Sequence, residues 1–432
     1  MTDTPGQAPA QARLLLGLGV LLFAIGQSLT FIIVTPLARQ VGFTPQGFGI
    51  ALTLASLPLI FGAPFWGKKS DVIGRKPVFL VGIIGAAVGT LLVALVLQLG
   101  VSGILTGFWL LVLFGLARAS YGSAASAIYP AATAYMVDVT DVHNRGKGLA
   151  IIGAANGMGS VLGPVMAAAL AFFGPLVPMY VASAIGFGGA VMAWLLLKEP
   201  VRHADPRNKV VMKLSDHRLR PFLIMWFVFF LTFMALQLVL SFYLQDEYGV
   251  TDPKALVRQA SLMLISMASM IVIVQIGVLQ VVKAKPKTLL RLLGPFFVIA
   301  LVIIGLAPNL PVMAVGFAVL GISFACANPG INGSASMCVE PWEQGATAGF
   351  LGAGNTLGAI LGPIVGTQIY THLGHHGPMI VGAIALSALS IYAFTIKVPD
   401  RWGGGSSRPG PARVAAQTAG DVTPPPGNAP AT

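Results

Sequence analysis

The sequence predicts an all-α membrane protein of twelve transmembrane helices in two parallel six-helix repeats, and three observations point there. Hydrophobic residues make up 56% of the chain and charged residues only 9%, where a soluble domain would be roughly one quarter charged. Apolar runs recur at the length of about 20 residues needed to span a bilayer. The bases crowd into one set of alternate connections and avoid the other.

Taken in order, the runs place helices near 13–36, 47–67, 77–99, 104–137, 147–172, 178–197, 220–244, 255–282, 288–307, 311–337, 345–371 and 377–397. The first is too long for a signal-peptide core and lacks a small-residue cleavage site, so it is kept as a span. Of the 26 bases, 22 fall in the termini and in the connections that this topology puts on one side. Arg39, Lys254 and Arg258 fall on the other side, and Arg118 alone lies within a span. Lys and Arg accumulate on the cytoplasmic side of membranes, which predicts a multi-pass protein of the inner (plasma) membrane with both termini cytoplasmic.

The polar connection 199–218 divides the chain into a cytoplasmic tail (1–12), a first bundle (13–198), a linker holding a surface helix or flexible segment (199–218), a second bundle (219–397) and a tail (398–432). That last tail is rich in Gly, Ser, Pro and Ala, cannot bury apolar surface, and is expected to be disordered. The bundles are repeats. A shift of 199 residues superposes 118–164 on 317–363 without a gap, pairing Pro130 with Pro329, Asn156 with Asn355, Gly159 with Gly358, Gly163 with Gly362 and Pro164 with Pro363. Six helices per repeat keeps both in one orientation, the arrangement in which a substrate site forms between halves near the midplane.

The net charge of +12 follows from topology, and no nucleic-acid motif accompanies it. Cys326 and Cys338 stand twelve residues apart in one helix, about 18 Å, too far for a disulfide. No metal cluster, cofactor motif, nucleophile–base pair or carboxylate pair is present, so enzyme function is not expected. A membrane sensor would need a soluble output domain, and none is read.

Residues 67–77 form a charged stretch in which Lys68, Lys69, Arg75 and Lys76 face one acid, Asp71. Gly67 and Gly74 are expected to let helices approach closely, and Pro77 suits the first turn of a helix. The pattern Gly67-x3-Asp71-x2-Gly74-Arg75-Lys76, ending in Leu80, resembles the signature between the second and third helices of the major facilitator superfamily of secondary transporters, although Lys69 and Val72 depart from it. The resemblance implies the major facilitator fold and alternating access. It also implies a charge cluster of Asp71, Arg75 and Asp138 that latches the halves when the protein faces outward and breaks when the cytoplasmic side opens.

Arg118 lies near mid-membrane, where an arginine costs about 2.5 to 3.5 kcal/mol and takes a cavity, a partner or backbone carbonyls. Gln27, Ser28 and Tyr121 are its expected neighbours. Arg118-x3-Gly122 resembles the superfamily's fourth-helix motif, which implies a link to proton movement or substrate. The first helix holds no acid, unlike many drug/proton antiporters of the family. Asp246 and Glu247, at the outer end of the seventh helix, read as solvated. Gly159-x3-Gly163-Pro164 resembles the antiporter motif of drug exporters, and Gly349-x8-Gly358-x3-Gly362-Pro363-x2-Gly366 is its fuller version.

Trp226, Phe230, Phe233, Met234, Gln237 and Ser241 recur at helical spacing, as do Met263, Met267 and Met270, followed by Gln275. Such stripes form core or lipid-facing surface as readily as a cavity for a bulky amphipath. Asn328, Asn332, Asn156 and Asn355 either line that cavity or bond neighbouring helices. His372, His375 and His376 read as a solvated outer loop. The expected activity is proton-coupled efflux of a small amphipathic molecule, a drug-like compound or a secreted metabolite such as a siderophore, by a monomer in the lipid bilayer. Proton-coupled import of a sugar, organic acid or other metabolite is the alternative.

Overall fold

A computed structural model of the chain describes residues 10–140, 145–200, 216–282, 284–340 and 343–399. Among them, twelve helices are long and apolar enough to cross a membrane, and no strand occurs. They are α1 (Ala10–Ala38), α2 (Pro45–Ile73), α3 (Arg75–Val101), α4 (Gly107–Val139), α5 (Arg145–Leu170), α6 (Val177–Leu196), α7 (Arg220–Tyr248), α8 (Pro253–Val278), α9 (Pro286–Gly305), α10 (Leu310–Ser336), α11 (Gln344–Leu373) and α12 (Gly377–Thr395). Helices satisfy their own backbone groups where lipid offers no partner. The expected surface helix or flexible linker, and nearly all of both tails, lie outside the described residues.

The starts of α2, α8 and α10 are written in the sequence. Thr44, Asp252 and Asn309 each accept a hydrogen bond from the backbone N–H three residues on, at 3.1, 2.9 and 3.0 Å. A proline follows within the first two helical positions, where a missing N–H costs nothing. Gly249 ends α7 at φ 63°, a left-handed stop that suits glycine.

Two boundaries differ from expectation. The second and third helices do not stop at 67 and start at 77, because α2 continues through Lys68, Lys69 and Asp71 to Ile73 and α3 begins at once with Arg75. The fourth span breaks at Ser126 and Ala127. Pro130 explains this: its ring clashes with the carbonyl four residues back, at Ser126.

Helices α1–α6 and α7–α12 form two halves that pack alike. In the first, Gly159 and Gly163 of α5 lie on α1, where a Cβ at Gly159 would stand 2.5 Å from the Leu21 carbonyl oxygen. In the second, Gly354, Gly358, Gly362 and Gly366 of α11 lie on α7, where a Cβ at Gly358 would stand 2.5 Å from the Phe227 carbonyl oxygen. Small-residue stripes of this kind let backbones touch without a hydrophobic driving force. Gly349 is not part of the contact, since a Cβ there meets nothing within 4 Å. Between halves, α2 packs on α11 and α5 on α8, contacts that the repeat relates to each other.

The face carrying Lys68–Lys76 is called the basic face; α1 starts there and the chain leaves α12 there. One apolar core runs through both halves, but its contribution from the first half comes from the other end: Ile25–Phe48, Val93–Phe114 and Ala167–Met179. Toward the basic face the first half has a separate core of its own, built from Leu15, Leu16, Val78, Phe79, Ile128 and Met136 among others. The halves are therefore joined at the end remote from the basic face and have distinct cores near it.

Candidate functional site

Near the basic face, α8 and α10 border a cavity of about 540 Å³ lined by Gln275, Leu279, Asn328, Pro329, Asn332 and Gly333. That is the size of small-molecule pockets. Gln275 lies in a π-helical segment of α8, Ile273–Val278, a local widening frequently found at functional sites. Trp226 Nε1 donates to Asn332 Oδ1 at 2.9 Å, and Asn332 Nδ2 donates to Asn328 Oδ1 at 2.6 Å. The indole leads into an aromatic cluster. Ring centroids are 5.5 Å apart for Trp226–Phe230, 6.2 Å for Phe230–Phe233, 4.5 Å for Phe233–Phe324 and 4.8 Å for Phe229–Phe324.

Sequence reasoning missed Phe324 and Phe229. Phe324 stands one turn before Asn328 on α10, so the four-residue spacing on that helix was the signal. Gln275, Asn328 and Asn332 line the cavity; Phe230 and Phe233 belong to the aromatic cluster behind Trp226 and not to the lining, and Gln237 does not line it either, its Oε1 being buried without a partner. The methionines of α8 turn elsewhere: a Cβ at Gly321 of α10 would stand 2.3 Å from the Met267 carbonyl oxygen and 3.0 Å from the Met270 Cβ.

Arg118 of α4 is 2% exposed. Its Nη2 donates to Gln27 Oε1 at 3.5 Å, and its guanidinium carbon lies 4.6 Å from the Tyr121 ring centroid and 5.8 Å from that of Phe31. Cation–π contact offsets part of its desolvation. Nε, Nη1 and the Tyr121 hydroxyl have no hydrogen-bond partner, so the group can still take an acceptor or an anion. Ser28 makes no hydrogen bond to Arg118; it donates to the Ile25 carbonyl of its own helix at 3.4 Å.

At the basic face, Arg75 Nε donates to Asp138 Oδ2 at 2.8 Å, while Nη1 donates to Asp71 Oδ1 and to Ser70 Oγ, both at 2.7 Å. Glu199, another residue missed from sequence, accepts from the backbone N–H groups of Arg75 and Lys76 at 2.6 and 2.9 Å. A carboxylate there satisfies open donors and complements the helix dipole. Gly74 has φ 119°, and a Cβ on it would stand 2.7 Å from Glu199 Oε1. Gly67, expected to make a close contact, makes none, since a Cβ there meets nothing within 4 Å. The cluster ties α2, α3 and α4 together inside the first half and does not itself span the halves.

The polar link between halves lies at the opposite end, where sequence reasoning placed solvated groups. Arg39, just past α1, reaches Asp246 of α7 through two hydrogen bonds of 2.5 and 2.7 Å. Tyr370 of α11 donates to the same carboxylate at 2.5 Å, and the Arg39 guanidinium lies 5.1 Å from the Phe242 ring centroid. The hydrogen bonds to Asp246 raise the Arg39 pKa above its ordinary value. His375 approaches Asp246 at 3.6 Å and Glu247 at 3.2 Å, and His376 approaches Glu247 at 3.3 Å. Thr53 Oγ1, donating to the Ile360 carbonyl at 3.0 Å, and Gln46, 3.4 Å from His372, join α2 to α11 on the same side.

Comparison with known proteins agrees with this architecture. "Multidrug resistance protein 2" of Bacillus subtilis (strain 168) is 25% identical over 358 residues, covering 79% of this chain and 84% of that protein. The crystal structure of the human organic anion transporter MFSD10 (TETRAN) superposes with a TM-score of 0.62 at 18% identity, covering 89% of this chain and 100% of that one. That of the nucleoside transporter NupG superposes with a TM-score of 0.68 at 14% identity, covering 89% and 99%. The sequence profile of the Major Facilitator Superfamily matches residues 16–332 and 283–422. With its two like-oriented six-helix halves and a profile match that runs over most of its length, this chain is a multi-pass membrane transporter belonging to the Major Facilitator Superfamily.

Proposed function

We propose that the protein exports a small amphipathic molecule by alternating access, driven by proton antiport, as a monomer in the plasma membrane. The basic face is the cytoplasmic one, following the distribution of Lys and Arg, and both termini lie there. The observation that carries this reading is the asymmetry of the two ends: the halves are clasped through Arg39 and Asp246, while the amide-lined cavity lies near the basic face. A carrier in that state loads from the cytoplasm. Leu279 and Pro329 supply apolar wall beside Gln275, Asn328 and Asn332, with Phe230 and Phe233 in the aromatic cluster behind Trp226, a combination suited to amphipaths, and the similarity to a protein named for multidrug resistance supports export.

In this scheme Asp71, Arg75 and Asp138 keep the first half rigid as it rocks, and Arg118 with Gln27 and Tyr121 couples proton movement to the cycle. One proton crossing about 100 mV supplies roughly 2.3 kcal/mol. The test uses reconstituted proteoliposomes with an acid interior and the neutral dye Nile red outside. Accumulation that collapses with the pH gradient is expected, and accumulation indifferent to it refutes antiport. Import of an organic acid is the second reading, favoured by the unpartnered Nε and Nη1 of Arg118. Uptake of a labelled metabolite carboxylate that is lost in Arg118→Met, without any dye movement, would establish it instead.

A further inference from the structure

The amide geometry of the cavity determines which hydrogen-bonding group a ligand must bring. An indole can only donate, so Trp226 Nε1, 2.9 Å away, obliges Asn332 to turn its carbonyl oxygen toward it. The nitrogen of Asn332 is then the atom that reaches Asn328 Oδ1 at 2.6 Å. Asn328 consequently presents its NH2 group, and its exposed side chain lines the cavity. We propose that Asn328 is the specificity-determining donor of the cavity, held in that orientation by the Trp226–Asn332 relay, and that the transported amphipath offers it an uncharged acceptor, such as a carbonyl, ether or ring nitrogen.

This rests on the reading of the cavity as the substrate site. Gln275, also exposed and without a fixing partner among the described residues, can turn either end of its amide inward and discriminates nothing. Leu279 and Pro329 supply apolar wall, and Phe324 lies one turn from Asn328. No charged side chain lines the cavity among the described residues, so an ionised ligand group would lose hydration without gaining a counter-charge.

The test compares two neutral tricycles of similar size, xanthone with a carbonyl acceptor and carbazole with an N–H donor. Binding to the full-length protein in lipid nanodiscs is measured by equilibrium dialysis, with empty nanodiscs correcting for partition into lipid. The wild type is expected to prefer xanthone by about threefold to tenfold, the worth of one net hydrogen bond. Asn332→Asp still accepts from Trp226 but has no donor, so Asn328 turns its nitrogen toward the new carboxylate and its oxygen toward the cavity. The preference should then reverse toward carbazole. Asn328→Asp, at an exposed position, still accepts from Asn332 Nδ2 but offers the cavity no donor, so it should no longer prefer xanthone, which keeps the test decisive if Asn332→Asp does not fold. Equal binding of the probes by the wild type, or a xanthone preference that persists in both variants, overturns the relay and leaves the cavity reading standing. Failure of the wild type to bind either probe overturns both.

Discussion

Removing the clasp between halves should shift the protein toward the state open at the opposite face. Arg39→Ala deletes a two-bond ion pair at 2.5 and 2.7 Å whose side chains are 33% and 20% exposed. A fully exposed pair is worth about 0.2–1 kcal/mol, and hydrogen bonds to charged groups reach about 1.5–3. Partial exposure places this one near 1–2 kcal/mol, roughly a fivefold to thirtyfold change in an equilibrium. Tyr370 still donates to Asp246, so the carboxylate is not orphaned and the loss reports on the link itself. Spin labels at Gln40 and Thr251, exposed residues on that face in different halves, would report the separation by pulsed electron resonance. Arg39→Ala should enlarge the long-distance population by that factor, and the exchange Arg39→Asp with Asp246→Arg should restore the short one. An unchanged distribution in Arg39→Ala would refute the assignment of this pair as the clasp.

Other substitutions test the supports of the fold. Gly358→Ala would drive a Cβ to within 2.5 Å of the Phe227 carbonyl oxygen and 2.8 Å of the Leu231 nitrogen. Because those are backbone atoms, α7 and α11 must part, at a cost of about 1–3 kcal/mol, read as a lower thermal midpoint in detergent; Gly349→Ala, with open space around it, should cause no such loss. Glu199→Ala should cost about 1 kcal/mol by uncapping α3, whereas Gly74→Ala should cost more, because it adds left-handed strain at φ 119° to a clash with Glu199. The fourth prediction concerns pH. Desolvation pushes the Glu343 carboxyl up, but the hydrogen bonds from Arg218 and from the Glu340 N–H outweigh it and hold the pKa below its ordinary 4.5. A depressed folded pKa stabilises the protein above the ordinary value, and the contribution is lost as pH falls through the lowered one. Thermal midpoints measured from neutral pH to below 4.5 should therefore fall less steeply in Glu343→Gln than in the wild type.

Much of the architecture was legible before any coordinates, because lipid imposes one-dimensional rules. A span must be apolar over about 20 residues, and bases sort to one side, so the twelve helices and their alternation follow from composition along the chain. The repeat was legible for a related reason: Gly159 with Gly358, and Gly163 with Gly362, sit where backbones must touch, and only a few residue types fit there. Arg118 with Gln27 and Tyr121 could also be paired from sequence, since a buried charge restricts its neighbours severely, whereas the pairing of Arg75 with Asp71 and Asp138 came from the resemblance to the superfamily's loop signature.

Contacts between distant ends of the chain were decided by tertiary structure alone. Arg39 and Asp246 are separated by 207 residues, and each taken singly is an ordinary polar residue at a helix end; only the closing of the halves makes them partners. The same holds for Glu199, whose carboxylate reads as the first residue of a linker until the α6 terminus is seen to deliver it to α3. Gly67 and Gly349 show the converse, since a glycine in a motif does not disclose whether a neighbour is present to need it. Periodicity and polarity are local properties of a chain and can be read from it, whereas which end of the transporter is closed depends on the balance between two packings of the same halves.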